Sequence, residues 1–165
     1  MGAPMWETAS YVVTVIGLPT AIVFYAMDRW KQREQEDEET YIHLSDEYVK
    51  FLKLALENAD LRLLDPQATP GLDAEQRMRK SALLGILISL FERAYILSYT
   101  EKMSGADLRR WRSWEDWMAE WCRREDFRSA MDVHLPGEDP EFIAYLRQLA
   151  AQNSPGMGVI DGNKV

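Results

Sequence analysis

The chain has 165 residues, a formal net charge of −8 and a pI of about 4.8. That acidity excludes nucleic acid as a main partner, because phosphate binding needs a basic patch, and it disfavours broad contact with anionic lipid. A lone cysteine, Cys122, excludes an intrachain disulfide and suits a reducing compartment.

Residues 1–7, MGAPMWE, carry no Lys or Arg and read as a short external N-terminus. Residues 8–27, TASYVVTVIGLPTAIVFYAM, contain no charge. About 20 helical residues cross the ~30 Å hydrocarbon layer, so this block predicts one N-terminal transmembrane helix. A cleaved signal peptide would need a basic leader and a small-residue cleavage site, and the sequence supplies neither. Trp6 and Trp30 bracket the block, with Tyr11 and Tyr25 just inside. Amphipathic rings favour the headgroup level, so the tryptophans read as interface anchors. Arg29, Lys31 and Arg33 follow at once and join them as anchors. Positive residues stay on the cytoplasmic side, which predicts the N-terminus outside and residues 28–165 in the cytoplasm.

Ser10, Thr14, Gly17 and Ala21 recur at helical spacing along one side of this block. Gly17 and Ala21 form a small-xxx-small pair that lets another helix approach closely, so the stripe predicts a packing face for a membrane partner. Pro19 removes the hydrogen bond to the Val15 carbonyl and predicts a kink.

Residues 28–40, DRWKQREQEDEET, read as a charged helical stalk, basic first and acidic after. The domain expected over 41–152 then begins with an amphipathic helix at 41–58. Tyr41, Leu44, Tyr48, Phe51 and Ala55 keep a 3–4 spacing, widened by Leu52 and Leu56. Residues 65–73, DPQATPGLD, form a loop, and Asp73 suits the N-cap of a helix over 74–100. Its centre, Ala82–Phe91, is apolar on nearly every side; ten residues are too short to span a bilayer and suit a central bundle helix, with a second contact surface as the other reading.

Residues 106–123 carry Trp111, Trp114, Trp117 and Trp121 on one helical face with Met118. Such a stripe is usually core; tryptophan is also enriched at interaction hot spots, so the four are candidate docking residues. A short helix at 125–134 holds Phe127 and Met131, with Val133 beside them, and LPGEDP ends it. Pro140 opens the last helix, a favoured place for proline. The tail 153–165 has no helical period and reads as flexible or ordered by a partner.

These elements predict an all-α protein: one N-terminal transmembrane helix followed by a small cytoplasmic bundle of about four to five helices. Glu39, His43 and Glu47 share a face but fall short of a convergent metal site, and only His134 adds another histidine. No phosphate loop, dinucleotide fingerprint or nucleophile–base constellation stands out, so no cofactor, metal or catalytic residue is assigned. The expectation is a non-catalytic accessory or scaffold subunit of a membrane protein complex, in contact with the lipid bilayer, as a hetero-complex rather than a homodimer. The alternative is a membrane-tethered regulator that reversibly binds a soluble partner or ligand.

Overall fold

The computed structural model describes the backbone of residues 5–154 and the side chains of residues 22–154. The assignments on Trp6, Ser10, Thr14, Gly17 and Ala21 therefore concern side chains outside the described residues, as does most of the tail. Among the described residues the chain is all-α, without strands. Five α-helices follow in order: α1 Met5–Glu57, α2 Ala74–Ser98, α3 Gly105–Cys122, α4 Glu125–His134 and α5 Pro140–Asn153. The chain divides into two compact units, Met1–Glu39 and Thr40–Val165.

In the first unit, α1 carries large apolar side chains in the open. Ile22, Val23, Phe24, Tyr25, Met27 and Trp30 are 50–75% exposed. Arg29 donates from Nε to the Tyr25 hydroxyl at 3.0 Å, and its guanidinium lies over the same ring. The segments expected separately at 8–27, 28–40 and 41–58 belong to one helix, because nothing between residues 5 and 57 other than Pro19 interrupts helical backbone bonding.

The second unit is a helical bundle. Its first helical stretch buries Leu44, Tyr48, Phe51 and Ala55, the expected 3–4 stripe. Leu56, expected to widen that stripe, is 63% exposed: it lies about 100° around the helix from Ala55, away from the core. A 3-10 turn at Ala59–Leu61 follows, and Leu61 and Leu63 plug into the core from the connecting segment. Asp73 caps α2 as expected: it accepts from the Gln76 N–H at 2.8 Å, while Gln76 accepts from the Asp73 N–H at 3.0 Å.

The α2 helix is central. Leu84, Leu87, Ile88, Phe91 and Ala94 are at most 2% exposed, and the helix packs against α3, α4 and α5. Burial on several sides explains its near-continuous apolar sequence. Among the described residues it is also the one helix long and apolar enough to cross a membrane by length and composition, although 44% of that stretch is buried inside the protein. Its full 25-residue length, rather than the ten apolar residues at its centre, meets that criterion.

The α4 helix buries Phe127, Ala130 and Met131, whereas Val133 is 66% exposed, two residues beyond the buried face. Between α4 and α5, Pro136 and Gly137 form a turn in which Gly137 takes φ +107°, a conformation glycine reaches without a Cβ clash. Asp139 caps α5 through its side chain, accepting from the N–H groups of Glu141 and Phe142 at 2.9 Å. Pro140 stands in the first turn as expected.

Candidate docking groove

The tryptophan helix is placed by its own apolar spacing. Trp111, Trp114, Met118 and Trp121 face inward, at most 5% exposed, while the polar residues between them face out. Trp114 stands edge-on to Phe91 at 6.4 Å and to Tyr48 at 6.2 Å. Trp111 belongs to a second aromatic group with Tyr95, Tyr99 and Tyr145. Three of the four candidate docking tryptophans are thus core, each in contact with other aromatic rings. Trp117 differs. It is half-buried and stacks on Tyr48 at 4.6 Å, with one edge left to a surface groove.

That groove has a volume of about 580 Å³. Its apolar walls come from Tyr48 and Leu52 of α1, Leu63, Leu64 and Pro66 of the connecting segment, and Trp117 and the largely buried Trp121 of α3. Leu64 is 48% exposed. Val49 and Leu56, also exposed, lie three residues before Leu52 and four after it, so they extend the same apolar side of α1. The rim is charged, with Asp65, Glu120 and Arg123, and the buried Arg124 also lines the groove. An apolar floor inside a charged rim is the usual make-up of a site that seats a hydrophobic side chain or short helix.

The floor is fixed from below. The Trp121 indole N–H donates to the buried Tyr48 hydroxyl at 3.1 Å, which ties α3 to α1. Burial pushes the Tyr48 phenol above its ordinary range, partly offset by that hydrogen bond, so the hydroxyl stays neutral. Arg124, 5% exposed, lies against Trp121 and donates to the Asp65 carbonyl, which pins the connecting segment to the α3–α4 junction.

Arg124 also belongs to a buried ion cluster. It donates to Asp126 from Nε at 3.0 Å and from Nη2 at 2.7 Å, and the Lys80 ammonium reaches the same carboxylate at 2.5 Å. Burial works against charge on Asp126, but the hydrogen bonds from Arg124 and Lys80 prevail and hold its pKa below the usual value. The Lys80–Asp126 pair joins residues 46 positions apart, so no local spacing in the sequence announces it. The same is true of Ser81 and His134, whose Oγ and Nε2 lie 3.0 Å apart across α2 and α4.

The remaining candidates fall as follows. Arg29, Lys31, Arg33 and Trp30 are exposed on α1 in the first unit. In the second unit, Glu47 is engaged by Lys50 at 2.6 Å, and among the described residues no three His, Cys, Asp or Glu side chains converge as metal ligands. Cys122 is buried, and burial pushes its thiol up to about 12. No protein-family model, curated protein or solved structure matches this chain.

Proposed function

We propose that this chain is a non-catalytic accessory or scaffold subunit of a membrane protein complex, anchored through residues 8–27 and docked through the groove around Trp117. One observation carries the anchoring part. Ile22, Val23, Phe24, Tyr25 and Met27 are each at least 50% exposed. At ~100° per residue these positions cover every side of the helix, so a single docking partner would leave some of them in water. A lipid phase covers all of them. The apolar face of α2 is instead committed to the bundle core, and crossing a bilayer would require unpacking it. On this reading Arg29, Lys31 and Arg33 hold the second unit on the cytoplasmic side.

The stripe Ser10, Thr14, Gly17 and Ala21 then faces a helix of a different membrane protein. The groove receives an apolar segment of that same partner, with Glu120 and Arg123 offering charges to its flanks. Tethering makes the second contact intramolecular, so a groove of this modest size suffices.

The test is purification of the tagged full-length chain from its native membrane in mild detergent, with mass spectrometry of what accompanies it. A stoichiometric set of membrane proteins is expected. Gly17→Leu should release it, and Trp117→Ala should weaken it at least tenfold without unfolding the bundle. Recovery of the chain alone, or a partner set indifferent to both substitutions, would sink this reading.

A further inference from the structure

A second pocket, of about 500 Å³, opens between α2, α4 and the connecting segment. Its lining divides in two. Leu72, Leu84, Ala130 and Val133 form an apolar part, whereas Arg77, Lys80, Ser81 and Ser129 bring positive charge and hydroxyls, and Asp126 brings the one carboxylate. Lys80 is 7% exposed, and among the described residues its ammonium pairs with Asp126 alone. An ammonium has three N–H donors. Asp126 is already shared with Arg124, itself 5% exposed. Among the described residues two buried cations therefore share this one carboxylate, one positive charge in excess, with Lys80 at the wall of an open pocket. Arg77 adds a further cation at the same wall. In a chain of net charge −8 this local excess of positive charge is unusual. A buried cation is costly unless an anion accepts its hydrogen bonds.

We infer that this pocket binds an amphipathic oxyanion, with an acidic head on Lys80 and Arg77 and an apolar body against Leu72, Leu84 and Val133. The head completes the charge balance of the Lys80–Asp126–Arg124 cluster through charge-assisted hydrogen bonds. Ser129, exposed at the mouth, is within the same lining, its hydroxyl donating to the Glu125 carbonyl at 3.0 Å. Pocket volume and mixed lining suit a small ligand buried over most of its surface. A carboxylate and a phosphate share this chemistry, so the head can come from a free fatty acid or from a phospholipid. This pocket shares no lining residue with the docking groove.

The test uses the full-length chain in phosphatidylcholine nanodiscs with labelled lysine, observed by NMR at Lys80. Octanoate and dihexanoyl phosphatidic acid are titrated, with octanol as the probe that keeps the apolar body and lacks the charge. A saturable shift with octanoate or with the phosphatidic acid, at least tenfold tighter than with octanol, supports the inference, and the stronger of the two names the source of the head. No saturable shift, or equal binding of octanol, overturns it. Lys80→Met should lower the affinity at least tenfold, read at the neighbouring backbone amides. Should that variant fail to fold, Ser129→Leu fills the mouth from an exposed position and leaves the ion cluster intact. Unchanged affinity in a folded variant overturns the proposal.

Discussion

The indole N–H of Trp121 donates to the hydroxyl of Tyr48 across 3.1 Å of the bundle interior. The two residues lie 73 positions apart, and Tyr48 also stacks on Trp117 and stands beside Phe51, Phe91 and Trp114. One tyrosine thus links α1, α2 and α3. Tyr48→Phe keeps the ring and removes the acceptor, which leaves the Trp121 N–H buried and unpaired. That should cost about 1–3 kcal/mol, seen as a lower urea midpoint with unchanged denaturant slope. A loss below about 0.3 kcal/mol would show that the ring contacts alone join these helices.

Gly85 is held small by His134. A Cβ at Gly85 would meet the His134 ring at 2.9 Å, on both Cε1 and Nδ1. Ser81 fixes that ring through Nε2, so it cannot swing away freely. Gly85→Ala should therefore destabilise by up to about 2 kcal/mol: a steric cost of about 1–3 kcal/mol, reduced by about 1 kcal/mol of helix propensity. In a His134→Ala background the same change should become neutral or stabilising. A double-mutant cycle on unfolding free energies reads the difference, and additivity within about 0.5 kcal/mol would remove the contact from the account.

Glu138 and Glu92 form a carboxyl pair at the start of α5. Glu92 accepts from the Asp139 N–H at 2.6 Å. The hydrogen bond from Glu138 to Glu92, then burial and the Glu92 charge, raise the Glu138 pKa from 4.5 to about 7. The folded state thus binds a proton that the unfolded chain has lost between those values. The stabilisation is fully present below about pH 4.5 and is lost as pH rises through about 7. Glu138→Gln keeps the hydrogen bond without the titration, so its thermal midpoint should fall less between pH 5 and 7.5 than that of the native chain. Parallel curves for the two proteins would assign the pH dependence elsewhere.

Cys122 should be silent to thiol reagents. It is 0% exposed, and burial, opposed weakly by Arg128, moves its thiol up to about 12. At pH 8 the thiolate fraction is on the order of one in ten thousand. Labelling by a disulfide reagent should proceed only as fast as the bundle opens, and should accelerate with added urea. Prompt stoichiometric labelling in native buffer would contradict the packing around α3.

Much of the bundle was legible in the sequence because helices announce themselves locally. The 3–4 stripe from Leu44 to Ala55, the Asp73–Gln76 cap and Pro140 at the start of α5 each depend on neighbours within about one turn. Leu56 and Val133 face solvent, which the sequence does not show, since an apolar residue at the margin of a stripe carries no mark of which way the neighbouring helices lie. The candidate docking site was half legible. The spacing put four tryptophans on one face, but whether that face meets protein or water depends on what packs against it.

By itself the sequence determined that the chain is helical, that residues 8–27 lack charge, and that one acidic domain follows a basic cluster, because period, composition and charge are local quantities. Tertiary structure decided the rest. It buried Trp111, Trp114 and Trp121 and left Trp117 at a groove, and it brought Lys80, Asp126 and Arg124 to one point. Those outcomes rest on contacts between helices, such as Lys80 with Asp126, 46 positions away, and Trp121 with Tyr48, 73 positions away, and chain entropy gives such pairs no signature until the helices around them have packed.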